Sequence, residues 1–307
     1  MTGDKLPNNL DLFKIIGYSK EYLFGGCATA TAGLFTNPLD LVKTRFQLQG
    51  ELKTRGAYEV KYKNIIDAFI KISQREGITG LQKGLSSALA YQLAMNSTRL
   101  GTYQTITNSG ITTNNSGEQT FCKLALAGAF SGCCGSILAN PFYLAKVQMQ
   151  SAANPSIAVG YQHSHSGLMQ ALSTAYRSSG GLTQGLTSAM ARVSVGSATQ
   201  LATFTRIKQI LIAANVTESE FGIVCMASVC SSLALTLTMT PFDVVATRMF
   251  NQKHGLYYDG FLDCITKMYK HEGVAGFYKG TFAHFFRIGP HSILTLTIWD
   301  RYRTWFL

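Results

Sequence analysis

Charge is scarce in this 307-residue sequence, and acid is scarcer than base. Charged residues make up 14% of the chain, against about 25% in an ordinary soluble domain, so much of the surface is not built for water. Asp and Glu number 16 against 27 Lys and Arg, a formal net charge of +11. That imbalance points to an anionic partner: a membrane surface, a nucleic acid or an anionic solute. The seven cysteines are an odd number and form no CxxC pair, which excludes a disulfide scaffold and a structural zinc site. The first eleven residues hold Asp4 and Asp11 and no apolar run. A secretory signal is therefore not expected, nor is a cleavable, acid-free amphipathic presequence. Mean hydropathy is only +0.10, so a membrane protein of this composition must be lined with polar residues. A chain 46% hydrophobic and 11% aromatic is not disordered. The basic residues flank apolar windows instead of clustering with exposed aromatics, which argues against nucleic acid. No nucleophile–base constellation, phosphate loop or metal set is found, so an enzyme is not expected.

What is present is a set of charge-free windows. Tyr22 to Leu39, Leu124 to Ala145 and Phe221 to Phe242 contain no charged residue over 18, 22 and 22 positions, the length needed to cross a bilayer. They are rich in Gly, Ala, Ser, Thr and Cys, small residues that let helices approach closely in lipid. Three weaker windows alternate with them: Leu85 to Ile106 with Arg99, Leu186 to Phe204 with Arg192, and Thr281 to Trp299 with Arg287, His284 and His291. An arginine inside a span costs roughly 2.5–3.5 kcal/mol on insertion scales and usually faces a polar interior.

The windows recur. Pro38, Pro141 and Pro241 are 103 and 100 residues apart, and each falls near the end of a charge-free window. Asp40 and Lys43 follow the first proline, Tyr143 and Lys146 the second, Asp243 and Ala246 the third. A later motif also repeats: Glu76-Gly77 with Lys83-Gly84, Ser179-Gly180 with Gln184-Gly185, and Glu272-Gly273 with Lys279-Gly280. The unit is helix, long loop, helix, three times over, with repeats expected at 1–115, 116–215 and 216–307. A proline inside a helix removes a backbone hydrogen bond and kinks it, so three kinked helices about a pseudo-threefold axis converge at one end.

In its triplicated Px[DE]xx[KR] motif and glycine motif, from about Tyr18 to Trp305, the chain resembles the mitochondrial carrier family (solute carrier family 25). Within that family the likeness is to the branch of the oxaloacetate/sulfate carrier, carried by Thr36-Asn37-Pro38, Arg99-Leu100-Gly101-Thr102-Tyr103, Val195-Gly196-Ser197 and Gly289-Pro290-His291. The resemblance implies an all-α membrane protein of six transmembrane helices with short matrix helices between odd and even spans. It implies a multi-pass protein of the mitochondrial inner membrane, a functional monomer holding cardiolipin as structural lipid.

The resemblance also implies roles for residues. A matrix gate pairs the acid of one repeat with the base of the next, which gives Asp40 with Lys146 and Asp243 with Lys43. The third pair, Tyr143 and Ala246, has lost both charges together, as a true spatial pair must, since an unpaired ion in a dry site costs several kcal/mol. Gln47 and Gln150 match the family's glutamine braces, and Phe250 departs from them. On the cytoplasmic side only Lys208 with Asp300 retains both charges; Arg303 faces Gln104, and Thr107 faces Thr205. A thin outer gate is expected, with the empty carrier open to the intermembrane space.

Seven residues past Gly84, Gly185 and Gly280 lie Tyr91, Arg192 and Arg287, at the family's contact points. Steps of four along each helix keep one face and add Met95, Gly196 and His291, then Arg99, Gln200 and Thr295. Arg99, Arg192 and Arg287 then share a cavity with no acid beside them in register. Guanidinium forks bind carboxylate and sulfate bidentately, so the expected solute is a small anion: a dicarboxylate, a keto acid such as oxaloacetate, or a sulfate-like dianion. Exchange by alternating access is the first reading, and an uncoupling-type leak on the same scaffold the second. Tyr91 with Gln92 selects size and hydrogen bonding. His291 either titrates with a bound anion or is a neutral lining residue, and Arg99 either points inward or snorkels to the interface. His163 and His165, two residues apart in a loop, are a remote metal candidate.

Overall fold

A computed structural model describes residues 9–54, 56–112, 121–216, 219–253 and 255–306. Ten α-helices and no strands occur among them: α1 (Asn9–Leu48), α2 (Ile65–Glu76), α3 (Leu85–Asn108), α4 (Phe121–Ser151), α5 (Leu168–Arg177), α6 (Leu186–Ala213), α7 (Glu220–Asn251), α8 (Phe261–Glu272), α9 (Val274–Phe277) and α10 (Thr281–Phe306). Each repeat is a long helix, a short amphipathic helix, a tight turn and a second long helix. Six long helices, two per repeat, match the arrangement that the resemblance implies.

The six long helices close a ring in the order α1, α3, α4, α6, α7, α10. The most extensive contacts join different repeats, α3 to α4, α6 to α7 and α10 to α1. Small residues permit this approach. A Cβ added to Gly135 of α4 would lie 3.1 Å from the backbone oxygen of Met95 in α3, so that crossing has little room for a side chain. The odd helices α1, α4 and α7 also touch one another pairwise, which closes the ring at the end beyond the prolines.

Only α4 and α7, over Cys122–Ser151 and Gly222–Asn251, are long and apolar enough to pass as spans on hydropathy alone among the described residues. The other four long helices turn arginine, histidine, glutamine or threonine toward the interior, and that polar face lowers their average. Outward, the ring shows lipid-compatible side chains such as Phe35, Leu126, Phe130, Leu138, Phe282 and Ile293.

Pro38, Pro141 and Pro241 all lie inside continuous helices. The carbonyl that Pro38 frees, that of Leu34, accepts a hydrogen bond from Gln82 Nε2 at 3.1 Å. The residue before each proline fastens its helix to the start of the next long helix of the same repeat. Asn37 Nδ2 donates to Gln82 Oε1 at 3.1 Å, Asn140 Nδ2 donates to the Leu182 carbonyl at 2.6 Å, and Thr240 Oγ1 lies 3.2 Å from His284 Nδ1.

Each even helix begins at a glycine with left-handed backbone: Gly84, Gly185 and Gly280 have φ of +74, +73 and +77°. A Cβ there would be strained by φ and would also press on the ninth residue after a neighbouring proline: Gln150 at 3.0 Å, Phe250 at 3.0 Å and Gln47 at 3.3 Å. The glycine motif and the proline motif are thus two sides of one contact between repeats.

Candidate functional site

At the converging end the charges after the prolines meet across repeats. Lys43 Nζ of α1 lies 2.6 Å from Asp243 Oδ2 of α7. Lys146 Nζ of α4 pairs with Asp40 Oδ2 of α1. All four side chains are at least nine-tenths buried. Gln47 Nε2 donates to Asp243 Oδ2 at 2.6 Å and accepts from Thr247 Oγ1 at 2.7 Å, bracing the first pair. Gln150 holds the same position in its repeat and accepts from Thr44 Oγ1 at 2.9 Å, but it donates to Asn37 Oδ1 at 3.2 Å and reaches neither Asp40 nor Lys146. The third seam has no ion pair among the described residues. Tyr143 and Ala246 share an apolar cluster with Tyr91 and Phe250, with ring centroids 4.9 Å apart for Tyr91–Tyr143 and 4.8 Å for Tyr143–Phe250.

Above this layer lies a cavity of about 220 Å³. Tyr91, Gln92, Arg99, Arg192, Arg287 and His291 all line it, as do Met95, Gly196 and Gln200 from the same helical faces. Thr295, the outermost position of that register, does not. His291 Nδ1 lies 3.0 Å from Thr36 Oγ1, and Asn96 Nδ2 donates to Gln92 Oε1 at 3.3 Å.

The arginines are not without acids, which corrects the expectation from sequence. Arg287 Nε is 3.2 Å from Asp40 Oδ1, and Arg192 Nη1 is 3.8 Å from Asp243 Oδ1. Counting along the even helices alone misses these carboxylates, because they reach in from the odd helices where the prolines turn them inward. Neither contact is a well-formed hydrogen bond: Arg287 Nε, Arg192 Nε and Asp243 Oδ1 are buried without a hydrogen-bond partner. Lys43, Lys146, Arg192 and Arg287 therefore share two aspartates, an excess of two positive charges. Arg99 lines the cavity with no acidic partner among the described residues and adds a third.

Toward the opposite end, Gln104 Nε2 donates to Asn108 Oδ1 of its own helix at 2.8 Å, and Lys208 is half-buried. The side chains of Asp300, Arg303 and Thr205 lie outside the described ones, so the outer pairs expected from sequence are not placed.

Two further charge clusters lock the short helices below the cavity. Arg45 gives its fork to Glu76 at 2.8 and 2.9 Å, and Lys83 Nζ lies 2.7 Å from the same carboxylate. Arg248 pairs with Glu272, whose carboxylate also meets Lys279 Nζ at 2.6 Å. Burial alone would raise the Glu76 and Glu272 carboxyls; hydrogen bonds from their arginines and lysines outweigh it and hold both below the ordinary range. The second repeat has Gln148, Ser179 and Gln184 at these places. There Gln184 Nε2 donates to the Met249 and Gln252 carbonyls at 3.0 and 2.8 Å, and His165 Nε2 lies 3.0 Å from Gln148 Oε1. His163 Nε2 lies 2.7 Å from the Asn251 carbonyl. Neutral hydrogen bonds replace the missing ion pairs, and these contacts hold His165 against α4 of its own repeat and His163 against the end of α7 in the third. No metal cluster occurs among the described residues.

Asn37, Asn140, Thr240 and His284, which fasten the helix starts, have no role assigned to them by the sequence motifs. The signal was in the repeat: the position before each proline is Asn, Asn and Thr.

A family model described as mitochondrial carrier protein matches residues 16–112, 117–215 and 217–307. Solute carrier family 25 member 35 of Mus musculus is 41% identical, covering 93% of this chain and 98% of its own length. The mitochondrial oxaloacetate transport protein of Schizosaccharomyces pombe is 37% identical over 96% of this chain and 93% of its own. The mitochondrial citrate transporter E of Aspergillus niger is 37% identical over 90% of each.

Proposed function

Since this chain belongs to the mitochondrial carrier family, a family of solute transporters of the mitochondrial inner membrane, we propose that it carries a small dianion by alternating access and exchange. The observation that carries the reading is the uneven sharing of charge in the cavity, where Lys43, Lys146, Arg192 and Arg287 face two aspartates. An excess of two positive charges in a poorly solvated site is costly until an anion enters. A dianion neutralises that excess of two and leaves Arg99 as the cavity's remaining cation, and the forks of Arg192 and Arg287 match carboxylate or sulfate. Size agrees: about 220 Å³ is below the ~300–1,000 Å³ of sites for drug-sized ligands. The solute is a dicarboxylate, a keto acid such as oxaloacetate, or a sulfate-like dianion, in keeping with the relative named for oxaloacetate. Tyr91, Gln92, Arg99 and His291 complete the binding surface. The layer of Asp40, Lys43, Lys146 and Asp243 is the matrix gate in this reading, and the functional unit is a monomer. Basic short helices and glycine turns on that side hold cardiolipin phosphates.

The unpaired third seam and the turning of Gln104 to its own helix favour one further reading, an uncoupling-type leak on the same scaffold. Purified protein in liposomes separates the two. Exchange predicts saturable uptake of labelled oxaloacetate, malonate or sulfate that requires internal counter-substrate. A leak gives current or flux without it. Arg192→Ala and Arg287→Ala each remove one charged fork and are expected to weaken uptake about 10–100-fold, the equivalent of ~1.5–3 kcal/mol for a charged hydrogen bond. Normal uptake by both would remove the site.

A further inference from the structure

Arg192 is held in an unusual way for an arginine at the centre of a transport cavity. Its Nη2 donates to Tyr91 OH at 3.0 Å, and its guanidinium carbon sits 4.6 Å from the centre of the Tyr143 ring. Tyr143 in turn packs edge-on against Phe250 at 4.8 Å. The four residues come from four helices, α3, α4, α6 and α7, and they meet where the gate lacks its third ion pair. Two nitrogens of the guanidinium make no hydrogen bond: Nε has no acceptor, and Nη1 stands 3.8 Å from Asp243 Oδ1. The neighbouring Lys146 Nζ lies over the same rings, 5.3 Å from Tyr143 and 5.7 Å from Tyr91, while paired with Asp40.

A guanidinium over a desolvated tyrosine face is an attractive contact comparable to an exposed ion pair or better. It differs from an ion pair in one respect. An incoming carboxylate or sulfate offers the guanidinium far more than a ring does, so it competes for the cation directly. The Lys43–Asp243 pair is not exposed to that competition, since its lysine already has a carboxylate 2.6 Å away.

We propose that Arg192, held between the Tyr91 hydroxyl and the Tyr143 ring, is the third link of the matrix gate, and that the transported anion releases it by drawing the guanidinium off both tyrosines. The inference rests on the anion-carrier reading and assigns to the site its control. Two seams are closed by charge and the third by an arginine that lies between the Tyr143 ring of α4 and Asp243 of α7 and that the solute removes, so the α4–α7 seam opens only when the cavity is loaded. Tyr143 is then a positioning residue, acting through Arg192. The joint loss of charge at positions 143 and 246 makes the gate substrate-responsive at that seam.

The test uses the full chain in liposomes, with labelled sulfate, malonate and oxaloacetate as probes, and compares efflux with and without external counter-substrate. Tyr143→Leu removes the ring face; uncoupled efflux is expected to rise about tenfold, the rate equivalent of a buried cation–π contact. Tyr143→Phe keeps the face and is expected to restore coupling. Arg192→Lys keeps the charge but loses the planar stack and is expected to leak as Tyr143→Leu does. Equal uncoupled efflux from wild type and Tyr143→Leu overturns the proposal, as does a Tyr143→Phe variant that leaks as much as Tyr143→Leu. Should Tyr143→Leu not fold, tight coupling in Arg192→Lys overturns it alone. If wild type takes up none of the probes, the anion-carrier reading falls. The link is then judged without solute, by whether Arg192→Lys lowers the thermal midpoint more than Tyr143→Phe does; equal midpoints overturn it.

Discussion

At the scale of single residues, the two glutamines nine positions after their prolines show how one motif position does unequal work. Gln47 donates at 2.6 Å to the buried carboxylate of Asp243, whereas Gln150 donates at 3.2 Å to the neutral amide oxygen of Asn37. Hydrogen bonds to charged groups contribute about 1.5–3 kcal/mol and neutral ones about 0.5–1.5 kcal/mol. Gln47→Ala is therefore expected to lower the thermal midpoint in detergent roughly twice as far as Gln150→Ala. Gln47→Ala leaves Asp243 Oδ2 to Lys43 alone, while Gln150→Ala takes the donor from Asn37 Oδ1 and leaves the bond from Asn37 Nδ2 to Gln82 in place. Equal shifts would mean that the gate carboxylate does not depend on its brace. The two positions look alike in the sequence, and nothing in their spacing separates them. The difference is made by the partner across the seam: Asp243 stands where Gln47 arrives, and Asn37 where Gln150 does.

At the scale of elements, the short helices α2 and α8 are tied to the long helices α1 and α7 by buried forks, Arg45 to Glu76 and Arg248 to Glu272. Glu76 and Glu272 end their helices and are depressed below the ordinary 4.5 by their cations, against the opposing effect of burial. A carboxyl whose folded value is depressed stabilises the fold above its unfolded value and loses that contribution as pH falls through the folded one. The thermal midpoint is thus expected to be flat from neutrality to about pH 5 and to decline below about pH 4.5. Glu76→Gln should flatten part of that decline and cost about 3–5 kcal/mol at neutral pH, because Arg45 is left buried without its counter-charge. An unchanged acid profile would show that the ties are not what acid breaks. Much of this level was legible in advance. The proline period and the glycine turns follow from the repeat, and the pairing of Asp40 with Lys146 from the resemblance to the carrier family. What was not legible is any contact made between helix faces of different parity. Asp40 beside Arg287, Asp243 near Arg192 and Tyr143 under the same guanidinium join an odd helix to an even one. Helical register relates positions within one helix only, so it could place the arginines in a cavity and still miss their acids.

At the scale of the whole molecule, the low charge and the excess of base have separate locations. The ring's outer surface is apolar, the cavity holds a small excess of cations, and many of the remaining lysines lie on the short helices and loops beyond the prolines, as Lys53, Lys63, Lys71, Lys267 and Lys270 do. The two ends of the ring are also unequal. At the converging end two buried ion pairs, a glutamine brace and an aromatic stack close the passage. At the other end Gln104 turns back to Asn108, and only one position pair, Lys208 with Asp300, retains opposite charges in the sequence. Parting a buried pair before water or an anion can replace either partner leaves uncompensated charge in a dry site, whereas exposed polar contacts are exchanged for water at little cost. The empty protein should therefore rest with its cavity open away from the short helices. A cysteine placed at Gln200, which lines the cavity, in a background without the native cysteines, reports this directly. A membrane-impermeant thiol reagent applied to liposomes of known orientation should label it at least about tenfold faster from the end bearing Gln104 than from the end bearing α2, α5 and α8, a bias of ~1.4 kcal/mol between the two states. Saturating anion should narrow that ratio, because a ligand that takes Arg192 and Arg287 weakens the closed end only. Equal labelling from both sides in the empty protein would mean that the ion pairs of the converging end do not set its resting state.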